Sequence, residues 1–193
     1  MLRESGAETE SGAGMGEWNV VITVREQKYQ TAWTHLQAFG KVQKTDFYNV
    51  LTLQVPDLAG FRDHLAQLCA EKSDILNVLS RVVPAQVVFA FQTAEEFDEK
   101  AREAVLRWLP DLAGKSFYVR LYRRGFRGRI VSPEEERSLD EALLSALEER
   151  GTPGRIDFED PDLVIDVETV GNRAGLALWS RAELERYPFL RVR

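Results

Sequence analysis

The spacing of apolar residues along the chain switches between the two-residue repeat of a strand and the 3.6-residue repeat of a helix, and the switches mark out its elements. Trp18 to Glu26 is rich in β-branched residues and predicts a strand. Tyr29, Trp33, Leu36 and Phe39 come next at helical spacing, with Gly40 where a helix would end. Lys41 to Lys44 predicts a short strand. From Phe47 the pattern alternates, with Leu51, Leu53 and Val55 on one face and Thr52 and Gln54 on the other, a half-buried strand ended by Pro56. Asp57 is placed to cap a helix carrying the stripe Leu58, Phe61, Leu65 and Leu68. Asn77 to Val83 predicts a strand again. The order β-α-β-β-α-β is the ferredoxin-like arrangement, and it accounts for residues 17–84.

A second unit, residues 85–193, begins after Pro84 with an extended run from Gln86 to Phe91. Thr93 and Glu96 have the spacing of a capping box, before a helix that buries Phe97, Ala101, Ala104 or Val105, and Trp108 and ends at Pro110 and Gly114. Phe117 to Arg124 predicts a strand. Ser132-Pro133-Glu134-Glu135 reads as a second capping box, opening a helix whose buried face is Leu139, Ala142, Leu143, Ala146 and Leu147 and which Gly151 closes. Leu163 to Val170 is an apolar strand. Gly171-Asn172 suits a tight hairpin turn, with Ala174 to Trp179 as the returning strand and Arg181 to Tyr187 as a short last helix. The fold class expected is therefore α+β or α/β, two modules, the second with a mixed sheet.

Composition adds bounds. At 193 residues, 44% hydrophobic and 29% charged, the chain is long enough for two small domains with real cores. The first 16 residues hold four glycines and three glutamates with little apolar content, which predicts a disordered tail rather than a signal peptide. No apolar run is long enough to span a membrane. The single cysteine, Cys69, sits in an apolar helical pattern and is expected to be a buried thiol. A reducing compartment fits, and the cytoplasm is the default expectation.

Net charge is −6, which by itself argues against nucleic acid. Its distribution says otherwise. Between Leu112 and Pro133 there is no acidic residue, while Lys115, Arg120, Arg123, Arg124, Arg127 and Arg129 give that stretch a formal +6 on a body of −12. Phe117, Tyr118, Tyr122 and Phe126 are interleaved with them. Alternation sends Phe117, Val119 and Leu121 to the core and Tyr118, Arg120, Tyr122 and Arg124 to the other face, where guanidinium forks suit phosphates and rings suit unpaired bases. Gly125 and Gly128 would let the loop after the strand approach a backbone closely. A competing arrangement is that Asp166 and Glu168, which share a face of a neighbouring strand, pair with Arg120 or Arg124. The binding surface would then shift to Arg123, Arg127, Arg129 and Lys115.

The run Ser116-Phe117-Tyr118-Val119-Arg120-Leu121-Tyr122-Arg123-Arg124-Gly125-Phe126 resembles the core strand of THUMP domains. Ser132-Pro133-Glu134 is similar to the start of that family's next helix. The strand Asp160-Pro161-Asp162-Leu163-Val164-Ile165-Asp166-Val167-Glu168 and the hairpin Val170-Gly171-Asn172-Arg173-Ala174-Gly175-Leu176 are similar to its later segments, and Arg81-Val82-Val83-Pro84 to its entry junction. The resemblance covers about residues 81–180. It implies a ferredoxin-like domain ahead of the THUMP domain and a pair that recognises the acceptor end of tRNA, including the single-stranded 3′ terminus. Family members usually deliver tRNA to an attached methyltransferase, pseudouridine synthase, thiouridylase or deaminase. This chain is most similar to the free-standing members, typified by the adaptor that assists tRNA cytidine acetylation, whose enzyme is a separate chain.

Catalytic machinery is not evident. There is no Walker-type phosphate loop and no G-x-G-x-x-G after a strand. His35, His64 and Cys69 lack metal-ligand spacing, and Asp157, Glu159, Asp160 and Asp162 read as a solvated turn. The expectation is a non-enzymatic tRNA-binding protein without cofactor or metal, acting for a separate modifying enzyme. Its contacts would be Lys115, Arg120, Tyr122, Arg123, Arg124, Phe126, Arg127, Arg129 and Arg173. The alternative is a protein-interaction module without RNA binding.

Overall fold

β-Branched runs and helical stripes build two sheets in succession, each with helices laid against it. A computed structural model describes residues 17–71 and 74–192; the tail expected over residues 1–16 lies outside them. The first unit runs β1 (Val20–Val24), α1 (Tyr29–Leu36), β2 (Lys41–Lys44), β3 (Val50–Gln54), α2 (Leu58–Ala70), a helical turn α3 (Ile75–Val78) and β4 (Leu79–Pro84). Its sheet has the order β2-β3-β1-β4, with every neighbouring pair antiparallel. Asp57 caps α2 as the sequence suggests, accepting from Gly60 N at 3.0 Å. The strand expected from Asn77 starts later, because Ile75–Val78 closes as a turn of helix first.

The second unit runs β5 (Val87–Ala90), α4 (Ala94–Leu106), α5 (Leu109–Leu112), β6 (Ser116–Tyr122), α6 (Ser132–Glu149), β7 (Arg155–Ile156), β8 (Leu163–Val170), β9 (Arg173–Ser180) and α7 (Arg181–Arg186). The sheet order is β5-β9-β8-β6-β7. It is mixed: β6 is parallel to β7 and β8, while β9 is antiparallel to β8 and β5. Two local expectations are corrected. Pro110 does not end a helix but sits in the first turn of α5, where its missing N–H is harmless. Ser132 makes no capping bond, because the helix starts one residue earlier, with Val131 as its N-cap and Pro133 in the first turn. The two-residue strand β7 adds an element that the apolar pattern does not predict.

Each unit has its own core. Val20, Ile22, Leu51, Leu53, Phe61, Leu65 and Val82 fill the first; Phe97, Phe117, Val119, Leu139, Leu143, Ile165 and Leu176 fill the second. The end of the chain returns to the first core, where Trp179, Tyr187, Phe189 and Leu190 are buried, and Val82 N donates to Phe189 O at 2.9 Å. A third cluster joins the units: Trp18, Val21, Val50, Ala85 and Val170. Gly175 permits it, since a Cβ there would stand 2.7 Å from the Trp18 ring and from Ala85. This junction corrects the half-buried reading of β3. Thr52 is 1% exposed, because the sheet face opposite the first core is covered by the second unit.

The free edge of β6 beyond β7 is closed by a helix instead of a strand. Asp140 of α6 accepts from Val119 N at 2.9 Å and Glu136 from Leu121 N at 2.7 Å. Two carboxylates thus satisfy donors that an open edge would leave unpaired. Burial, with the nearby Glu136 charge, pushes the Asp140 carboxyl up to about 7, against the pull of the Val119 bond.

Candidate nucleic-acid interface

The basic segment divides into parts that the fold uses differently. Phe117, Val119 and Leu121 point into the second core, as alternation requires. On the opposite face Tyr118 is buried, and β8 places Asp166 beside Arg120 and Glu168 beside Tyr122 in parallel register. Both carboxylates are fully buried. Their main partner comes from the other unit: Arg81 of β4 reaches across, its Nη2 donating to Asp166 Oδ2 at 2.6 Å and its Nη1 to Glu168. The same guanidinium lies 3.7 Å from the Tyr122 ring centroid. Arg124 also donates to Glu168, and its Nη2 to Thr23 Oγ1 at 3.1 Å, opposite Arg81 in the β1–β4 ladder.

Two arginines and two carboxylates therefore form a neutral, buried network at the seam of the units. Burial works against the Arg81 charge, but Asp166 and Glu168 outweigh it and hold the guanidinium above its ordinary value. Burial holds the Asp166 carboxyl above the ordinary carboxylate range, opposed by Arg81 and reinforced by Glu168. The residue pattern of the basic segment does not point to Arg81. The available signal is its position, a lone charge in the apolar strand Leu79 to Pro84, which a buried strand tolerates only with a partner.

Several sequence candidates are committed to the fold. Arg124 and Tyr122 belong to the seam. Arg120 leans on Glu136 of α6 at 3.6 Å and lies over the Tyr118 ring. Phe126 packs on Phe91, ring centroids 4.8 Å apart, with the Arg129 guanidinium 4.4 Å from its ring. Gly125, at φ 102°, is needed inside the protein, because a Cβ there would come within 3.2 Å of Gly171 Cα in the β8–β9 hairpin. Lys115 stands at the far end of β6 from the loop. With the seven residues of β6 between them, it is roughly 26 Å from Arg123 at about 3.3 Å per residue.

The remaining cations lie on one loop and the hairpin beside it. Arg123 is half-buried and donates to Gly125 O. Arg127 and Arg129 are on either side of Gly128, which has φ 75° and open space where a Cβ would stand. Both are exposed. Arg173 starts β9 beside the hairpin turn that Gly125 abuts, and its Nε is buried without a hydrogen-bond partner. This group suits phosphate oxygens. Arg129 over Phe126 also offers a flat guanidinium face.

The other titratable residues noted in the sequence are accounted for locally. His64 packs edge-on against Phe39, with centroids 5.1 Å apart. Cys69 is half-buried rather than buried, and desolvation raises its thiol. Asp157 accepts from Glu159 N and Asp160 N at 3.0 Å, and Asp162 accepts from Ser116 N and Oγ at 2.9 Å; backbone N–H bonds hold both carboxyls below their ordinary value. No helix among the described residues is long and apolar enough to cross a membrane.

No protein-family model matches the chain. A tRNA sulfurtransferase of Pyrobaculum aerophilum is 36% identical over 111 residues, a match covering 55% of this chain and 20% of that protein. The chain thus spans about a fifth of the length of that curated relative. Among solved structures, TrmN from Thermus thermophilus is similar with a TM-score of 0.55 at 22% identity, over 83% of this chain and 44% of that one. PH1313 from Pyrococcus horikoshii is similar with a TM-score of 0.54 at 11% identity, over 83% and 54%. At these identities the two structures establish a shared mixed α and β fold.

Proposed function

We propose that this chain is a tRNA-binding protein built from a ferredoxin-like unit (residues 17–84) and a THUMP unit (residues 85–193), holding the acceptor end of tRNA for a separate modifying enzyme. The observation that carries the proposal is the cluster Arg123, Arg127, Arg129 and Arg173, presented on one loop and hairpin of an otherwise acidic molecule. The relative over 111 residues supports tRNA as the ligand, since that protein is named a tRNA sulfurtransferase. The THUMP-like motif order from Arg81 to Leu176 supports the acceptor end. The seam network supports a rigid platform: with Arg81 and Arg124 locked against β8, the two units present one surface to a folded nucleic acid.

In this reading all four arginines neutralise phosphates, Arg123 and Arg173 while also supporting the loop, and the Arg129 guanidinium plane stacks on an unpaired base. The chain's role is binding, and the chemistry belongs to the partner. A gel shift with whole tRNA and with tRNA lacking its single-stranded 3′ end tests the first half. Whole tRNA should bind about tenfold or more tighter, as expected if unpaired terminal bases are stacked. Equal binding would refute acceptor-end recognition. Incubation of the purified chain with unmodified tRNA tests the second half: a modified nucleoside formed without another protein would show that the chain is itself an enzyme.

A further inference from the structure

On the α6 side of β6 lies a groove of about 350 Å³ that the tRNA reading does not use. Its apolar lining includes Leu144 and Ile156, which pack against the second core, and Pro133. Phe158 stands at its edge with 66% of its surface exposed, an unusual position for a large aromatic side chain, and contacts Tyr118 at 5.4 Å. One wall is stiff, because Glu136 and Asp140 are bound to the β6 backbone. A preformed wall lowers the ordering cost of binding.

The rim carries the opposite charge to the Arg123–Arg129 loop. Between positions 132 and 160 ten carboxylates stand against three arginines. Glu136, Asp140 and Glu141 line the groove against one cation, Arg137, and Asp157 and Glu159 are the chain neighbours of Phe158, so the surroundings are net acidic and disfavour a phosphate backbone. The volume is at the small end of ligand pockets, roughly 300–1,000 Å³, with room for bulky apolar side chains from one segment. We propose that this groove docks a partner protein through an apolar side chain carried on a lysine- or arginine-rich segment. The apolar residue fills the space between Leu144, Ile156 and Phe158, and its cationic neighbours meet Glu141, Asp157 and Glu159. The inference does not depend on tRNA being the ligand of the other surface.

The test is a titration of the isotope-labelled full chain, monitored by NMR, with an amphipathic peptide of about twelve residues alternating lysine with leucine and phenylalanine. A second peptide has glutamate in place of each lysine. The lysine peptide should shift amide signals at positions 134–144 and 156–158. Phe158→Ala should weaken its binding about tenfold or more, since a lost aromatic anchor commonly costs that much. Phe158 is exposed, so this variant should melt like the parent and bind tRNA unchanged, which separates failure here from failure of the tRNA reading. The proposal is overturned if the lysine peptide shifts no groove signal, if both peptides shift the same signals equally, or if Phe158→Ala leaves binding within about twofold. It is also overturned if sedimentation shows a dimer that Phe158→Ala dissociates, because the occupant would then be a second copy of this chain.

Discussion

Arg81 Nη2 donates to Asp166 Oδ2 at 2.6 Å, and through this contact β4 of the first sheet is tied to β8 of the second. Arg81 is 8% exposed and Asp166 fully buried. An ion pair this deep repays its desolvation only while both partners are present. Arg81→Ala strands Asp166 in the seam, leaves Glu168 with Arg124 alone, and should cost about 3–5 kcal/mol in urea unfolding. Loss below about 1 kcal/mol would mean that water enters the seam and screens the carboxylates.

Lys115 shares the acid-free stretch with Arg127 but stands at the other end of β6. Lys115→Ala should change tRNA affinity by less than about twofold, the scale of a distant surface charge. A loss as large as that from Arg127→Ala would show that the nucleic acid runs the length of the strand.

Asp140 gives the fold a pH dependence of known sign. Its carboxyl is pushed up to about 7 in the folded protein, above its value of 3.8 in an open chain. The folded state therefore holds the proton more tightly, and this contribution to stability is lost as pH rises from about 4 through about 7. Asp140→Asn keeps an oxygen to accept from Val119 N and removes the charge. In thermal melts the variant should gain on the parent as pH rises to about 7 and hold a constant advantage above it. A gap that stays flat with pH, or that closes as pH rises, would contradict a raised carboxyl.

Local pattern made much of the fold legible. The eight-residue strand Leu163–Val170 and its Gly171-Asn172 turn stand as the apolar run and turn residues predict. The alternation of Phe117, Val119 and Leu121 into the core is also as expected. Long-range placement was harder to read. Thr52 and Arg81 are polar residues buried by packing between the units, which neither segment encodes alone. Asp140 lies outside the apolar stripe of α6, and its burial follows only once β6 is placed beside it with unpaired N–H groups. In the candidate site, the pairing of Glu168 with Arg124 was open to inference from strand periodicity, whereas the claim of Arg81 on both carboxylates was not. Sequence proximity groups Lys115 with the loop arginines, whereas neighbours along an extended strand separate quickly in space.

The central claim is that tRNA is held by the arginine loop. Salt titration of tRNA binding by the parent chain and by Arg127→Ala/Arg129→Ala tests it most directly. Four arginines on the loop and hairpin, meeting a single strand, predict a log–log slope of about −3 for the parent and about −1.5 for the variant, at weaker affinity and unchanged melting temperature. Salt-insensitive binding by the parent, or the same slope and affinity in both proteins, would contradict the account.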